Sequence, residues 1–136
     1  MIQQSNNFLN VFKRYIYNIN YYFKIFQIIF IEQLRITKNK DKVAFIAGGT
    51  GIVGGGIAVE LLKNGCKVWV SSRNESKLIQ FKDNLQDDLK TNLGTIKGEV
   101  ETETECEKIR DHILSVDNKI DYVVSSLGLI INFFIF

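Results

Sequence analysis

The residues of this 136-residue chain whose types and spacing could do chemistry begin at Gly48-Gly49-Thr50-Gly51-Ile52-Val53-Gly54. Two glycine registers overlap there, Gly49-x-Gly51-x-x-Gly54 and Gly48-x-x-Gly51-x-x-Gly54. In either one the early glycines allow a tight turn and a close approach of backbone to a pyrophosphate, and Gly54 lets a helix pack onto a strand. A helix opening at this point aims free N–H groups and a partial positive charge at phosphate. The chemistry is therefore dinucleotide binding, provided that a buried strand precedes the loop and a helix follows it.

A second group selects the dinucleotide. About 20 residues past the loop, a site for NAD carries a carboxylate toward the ribose 2′-hydroxyl, whereas a site for NADP carries a cation toward the 2′-phosphate. That position reads Ser71-Ser72-Arg73-Asn74, with no carboxylate before Glu75. Ser72 can donate a hydrogen bond and Arg73 offers a two-pronged fork to phosphate. The reading favours NADP(H) over NAD. Its bland counterpart is a solvated Arg73 beside a helix-capping Asn74.

The elements needed to position these groups are present. Val43-Ala44-Phe45-Ile46-Ala47 is an apolar run of strand length ending in the glycines, as a buried parallel strand does. Ile57, Ala58, Leu61 and Leu62 recur at helical spacing, and Lys63-Asn64-Gly65 supplies a basic last turn and a glycine stop. Lys67–Ser71 is the next strand. Asn74 caps a helix whose apolar face is Leu78, Phe81, Leu85 and Leu89. Gly94–Val100 forms a third, weaker strand. Thr104-x-x-Glu107 is a capping box for a helix through Ile109, Ile113, Leu114 and Val116, and it explains the acidic run from Glu99 to Glu107 without a metal. Ile120–Ser125 is a fourth strand, and Ser126-Leu127-Gly128 a further small-residue turn. The order is βαβαβαβ, an α/β fold with a parallel sheet and right-handed crossovers.

Charge and composition exclude other classes. Seventeen Lys and Arg against fifteen Asp and Glu give a net charge of +2, with no field suited to nucleic acid. Cys66 and Cys106 are far apart and a single His112, read as a surface residue, cannot complete a zinc site with them, so both read as reduced cysteines and the localisation as cytoplasmic.

Residues 1–40 are unlike the rest: no glycine, nine of the sixteen aromatics, and six basic residues against Glu32 alone. Lys24, Gln27 and Glu32 interrupt the apolar run too often for a membrane span. Phe8, Phe12, Tyr15, Ile19, Tyr22 or Phe23, Phe26, and Ile29 or Phe30 instead fit an amphipathic helix that contacts a membrane surface through residues 8–30, or a mitochondrial presequence. The reading favoured over these is an ordinary extension or mis-assigned start, since Ile, Phe, Tyr, Asn and Lys make up 27 of the 40 residues. The chain divides into an extension at 1–40, joined by a solvated linker near Lys38–Lys42, a domain at 41–128 and an apolar tail at 129–136.

Together, AGGTGIVG at 47–54, SSRNESKL at 71–78, GEV at 98–100 and DYVVSSLG at 121–128 resemble the N-terminal half of the short-chain dehydrogenase/reductase family. The resemblance implies an incomplete Rossmann-like doubly wound sheet and hydride transfer between a nicotinamide and a carbonyl or alcohol. It places Gly48, Gly51 and Gly54 at the pyrophosphate, Ser72 and Arg73 at the 2′-phosphate, Glu99 and Val100 at the adenine, and Ser125, Ser126, Leu127 and Gly128 beside the adenine ribose. The glycine spacing and SSLG are those of atypical or extended members. The family's catalytic Tyr-x-x-x-Lys is missing: Tyr15, Tyr17, Tyr21, Tyr22 and Tyr122 are followed four positions later by Ile19, Tyr21, Ile25, Phe26 and Ser126. No catalytic residue is therefore assigned, a small-molecule substrate requires a further catalytic half, and the expectation is a truncated gene product. The alternative is an inactive nucleotide-binding or partner-binding remnant, its bare sheet edge open to oligomerisation.

Overall fold

The computed structural model describes residues 39–128 and the backbone of 132–135. The expectations for residues 1–38 lie outside the described residues. Five strands form one sheet in the order β3-β2-β1-β4-β5: β1 Val43–Ala47, β2 Lys67–Ser72, β3 Leu93–Lys97, β4 Tyr122–Ser125 and β5 Asn132–Ile135. The first four are parallel, and β5 runs antiparallel beside β4 with Ser125 opposite Asn132. The segment read as an apolar tail thus supplies a fifth strand. Helices α1 Ile52–Lys63, α2 Glu75–Asp83, α3 Asp87–Lys90 and α4 Glu103–Asp117 fill the crossovers.

The chain builds outward from β1 through β2 to β3, then returns to place β4 on the other side of β1. Strand order reverses between β1 and β4, and the crevice beyond the carboxyl ends of these strands is where such sheets bind ligands. Alternation along β1 sends Val43, Phe45 and Ala47 to one face, where they pack with Trp69 of β2 and with Ile109 and Ile113 of α4. Ala44 and Ile46 face the other way and are fully buried, as are Val68 and Val70 of β2. On α1, Ile57, Ala58, Leu61 and Leu62 are buried.

Three boundaries differ from the sequence reading. The helix opened by Asn74 stops at Asp83 and resumes as α3, because Asn84 is a weak helix former and Gln86 is extended; the break lets Leu85 and Leu89 both turn inward. The third strand ends at Lys97, leaving Gly98-Glu99-Val100 as irregular chain. The cap of α4 is Thr102, whose side chain accepts from the Glu105 N–H at 3.3 Å, and not Thr104. Thr-x-x-Glu occurs twice in this run, and Val100, packed against the core cluster, sets the earlier start.

Residues 39–42, within the stretch read as a solvated linker, are tied to the sheet. Asn39 is 1% exposed, and its Oδ1 accepts from the Tyr122 hydroxyl at 3.2 Å. Nearby, Asp121 accepts from the Val43 N–H at 2.8 Å and pairs with Lys42 at 3.2 Å and Lys119 at 3.3 Å. Burial pushes its pKa up, but the Val43 N–H and the two ammonium groups outweigh burial and hold the carboxyl below its ordinary value. Because the folded pKa lies below the unfolded one, the stabilisation is complete above the unfolded value of about 3.9 and is lost as pH falls through the folded value. Asp121→Asn is expected to cost about 1–3 kcal/mol at pH 7 in urea unfolding and to flatten the acid limb of stability. An acid limb identical to wild type would show that Asp121 does not carry it.

Candidate functional site

The loop after β1 is built on contacts that admit no side chain. A methyl group at Gly54 would lie 2.5 Å from the Gly48 carbonyl oxygen, and one at Gly49 would lie 2.5 Å from Val70 Cγ1. Gly48 itself has φ of 75°, a left-handed conformation suited to glycine. Gly51 is different: added there, a methyl group would meet only the Gly48 carbonyl oxygen, at 3.4 Å. It faces open space as the N-cap of α1, which has no side-chain cap and no acidic residue in its first turn. These features fit a pyrophosphate, because an anion in that space would take the uncapped amides and lie on the positive end of the helix dipole.

The loop forms one wall of a cleft of about 570 Å³ at the carboxyl edge of the sheet. Of the residues singled out from sequence, ten line it: Gly48, Thr50 and Gly51; Ser72, Arg73 and Asn74; Glu99 and Val100; Leu127 and Gly128. The other six lie off its lining. Gly49 abuts Val70, Gly54 abuts Gly48, and Ile52 is 98% exposed on the first turn of α1, next to half-buried Val53. Ser126 Oγ would stand 3.0 Å from a methyl group at Gly54, so this side chain buttresses the loop. Ser125 lines a separate groove of about 690 Å³, where Phe45, Ile109, Ile113 and Val123 present apolar surface between α4 and the sheet.

The wall opposite the loop carries charge. The Asn74 side chain is committed to capping α2, accepting from the N–H groups of Ser76 at 3.0 Å and Lys77 at 3.4 Å, and Ser72 Oγ accepts from the Asn74 N–H at 3.2 Å. These bonds fix the turn that holds up Arg73. Arg73 Nη1 lies 3.6 Å from Glu101 Oε1, with both side chains mostly exposed. Lys77 also lines the cleft and has no ion pair among the described residues. Lys77 and Glu101 are not singled out by the sequence reading, in which Glu101 is part of the acidic run. The spacing of Lys77 four residues after Arg73, one turn into a helix capped by Asn74, is the signal that could have found it.

Other reactive groups stand apart from the cleft. Cys66 is buried, its Sγ donating to the Lys42 carbonyl at 3.2 Å, and burial pushes the thiol up to about 12. Cys106 is exposed. His112 is exposed and meets Trp69 edge-on at 5.4 Å between ring centroids. The Tyr122 hydroxyl is committed to Asn39. Among the described residues no three His, Cys, Asp or Glu converge on a metal position, and no helix is long and apolar enough to cross a membrane.

Comparison with known proteins adds a decisive observation: the model of the family described as short chain dehydrogenase matches residues 42–135. The chain belongs to the short-chain dehydrogenase family. A curated relative, an uncharacterized oxidoreductase of Staphylococcus saprophyticus, is 29% identical over 93 residues, covering 68% of this chain and 40% of that protein. The crystal structure of a short-chain dehydrogenase from Bacillus anthracis superposes with a TM-score of 0.61 at 25% identity, covering 65% of this chain and 35% of the other. A short-chain type dehydrogenase/reductase from Mycobacterium ulcerans, at 23% identity, shows the same fold with a TM-score of 0.61 over 68% of this chain and 34% of its own. The chain therefore spans well under half the length of these relatives. The match runs through β5, so the segment after Gly128 lies within the family's pattern.

Proposed function

We propose that residues 41–128 form the cofactor-binding part of a short-chain oxidoreductase that takes NADP(H) in preference to NAD(H). The observation that carries this reading is the placement of Arg73 and Lys77 in the same cleft as the uncapped start of α1. The loop would hold the pyrophosphate, the two cations would meet the 2′-phosphate, and Glu99 and Val100 would border the adenine. When bound, the nicotinamide supplies the hydride donor or acceptor for a carbonyl or alcohol. This chain's own part is to fix the dinucleotide by its phosphates and ribose, since no Tyr-x-x-x-Lys occurs in its sequence.

The test is calorimetric titration of NADPH and NADH into the 136-residue chain and its Arg73→Ala variant. A charge-assisted fork to phosphate contributes about 1.5–3 kcal/mol. NADPH affinity should therefore fall about 10- to 150-fold in the variant while NADH binding is unchanged. Failure of a folded chain to bind either dinucleotide would overturn the proposal, and an equal loss for both would refute the role of Arg73.

A further inference from the structure

The cleft carries two cations, Arg73 and Lys77, and two carboxylates, Glu99 and Glu101. Their charges cancel, which is an unexpected balance for a wall meant to attract a phosphate dianion. The two carboxylates are not equivalent. Glu99 has no ion-pair partner among the described residues, whereas Glu101 Oε1 stands 3.6 Å from Arg73 Nη1. Glu101 lies between Val100, which packs against the core cluster, and Thr102, which caps α4. Its backbone is therefore anchored on both sides, opposite the turn between β2 and α2. A neighbouring pair, Lys97 with Glu75 at 3.4 Å, ties the same two segments together outside the cleft lining. The proximity of Glu101 to Arg73 thus follows from how these segments are held.

We propose that Glu101 is a specificity-determining residue, an internal carboxylate that occupies the Arg73 guanidinium and competes with the 2′-phosphate for it. The inference rests on the reading of Arg73 as the 2′-phosphate group and deepens it. A phosphate entering the cleft must take Arg73 from Glu101 and then sit beside a like charge. NAD(H), which brings no 2′-phosphate, meets neither cost. Glu101 therefore lowers the preference for NADP(H) below what Arg73 and Lys77 would give alone, and moves the domain toward use of both cofactors. The surface pair itself is weak and screened by salt, so the effect is one of tuning.

The experiment is titration of NADPH and NADH into wild type, Glu101→Gln, Arg73→Ala and the double variant, at low salt and at high salt. Glu101→Gln keeps the shape of the side chain and removes its charge. NADPH should bind about three- to tenfold more tightly to it at low salt, with NADH unchanged and the gain shrinking at high salt. In the Arg73→Ala background the same substitution should lose most of its effect, because the competitor no longer has a cation to hold. Unchanged NADPH affinity in Glu101→Gln, with wild type and Arg73→Ala behaving as expected, would overturn this proposal and leave the cofactor reading intact. An equal gain for both dinucleotides would also overturn it, since that marks a general charge effect. If folded wild type binds neither dinucleotide, the cofactor reading fails and this inference fails with it.

Discussion

Gly54→Val is expected to abolish dinucleotide binding and to destabilise the fold by about 2–4 kcal/mol. The first side-chain carbon would stand 2.5 Å from the Gly48 carbonyl oxygen and 3.0 Å from Ser126 Oγ. The carbonyl is backbone, fixed because Gly48 sits at a positive φ and its oxygen also accepts from the Gly51 N–H at 3.1 Å. Relief must come from moving α1 away from β1, which displaces the helix start that faces the cleft. Binding and stability should therefore fall together, read by NADPH titration and by urea unfolding followed by circular dichroism. Gly56→Ala provides the control. Nothing lies within 4 Å of a methyl group there, and a glycine inside a helix costs about 1 kcal/mol relative to alanine. That variant should be slightly stabilised and bind normally. A Gly54→Val chain of wild-type stability would show that the close packing of helix on loop is not required.

The parts of this architecture that could be read from sequence are those that depend on near neighbours. An apolar run, a glycine turn and a helical stripe within about twenty residues defined β1, the loop and α1, because each signal comes from residues in local contact. The same holds for the Asn74 cap, which satisfies amides two and three residues away. Where tertiary contact decides, sequence was silent or misleading. Thr102 and Thr104 both offer a capping box, and only the fit of Val100, Ile109 and Ile113 against the sheet chooses between them. The helix after Asn74 reads as continuous through Leu89, yet burying both Leu85 and Leu89 requires the break at Asn84. Ser125 is placed with Ser126, Leu127 and Gly128 by the family resemblance alone, and in the fold it lines the apolar groove beside α4. Lys77 and Glu101 show the same limit at the site itself. Lys77 follows Arg73 by one helical turn, but Glu101 comes from a segment more than twenty residues away, and its arrival in the cleft is a property of sheet order that no local pattern encodes.

Asp117→Ala should be the most destabilising single change among the charged residues, costing about 2–4 kcal/mol. Asp117 ends α4, where a carboxylate faces the negative end of the helix dipole, and on local grounds it is misplaced. Its surroundings reverse the sign. Oδ2 accepts from Trp69 Nε1 at 2.6 Å and Oδ1 from Lys67 Nζ at 2.5 Å, with the Asp117 side chain 11% exposed. One carboxylate thus fastens the end of α4 to two residues of β2 on the face where Trp69 packs with Val43 and Ile113. Trp69 in turn covers Gly94 of β3, where an added methyl group would stand 2.4 Å from the indole ring. Truncation leaves the indole N–H without its acceptor inside a packed layer, and the penalty is the desolvation of that group as well as the lost bonds; the freed Lys67 ammonium, on a side chain 35% exposed, turns to water. Asp117→Asn, which keeps an acceptor oxygen and loses the charge, should recover part of the loss. Urea unfolding monitored by Trp69 fluorescence, the sole tryptophan of the chain, reads both effects. If alanine and asparagine cost the same, the bond to the indole is not what holds α4, and the attraction between Asp117 and Lys67 accounts for the whole effect.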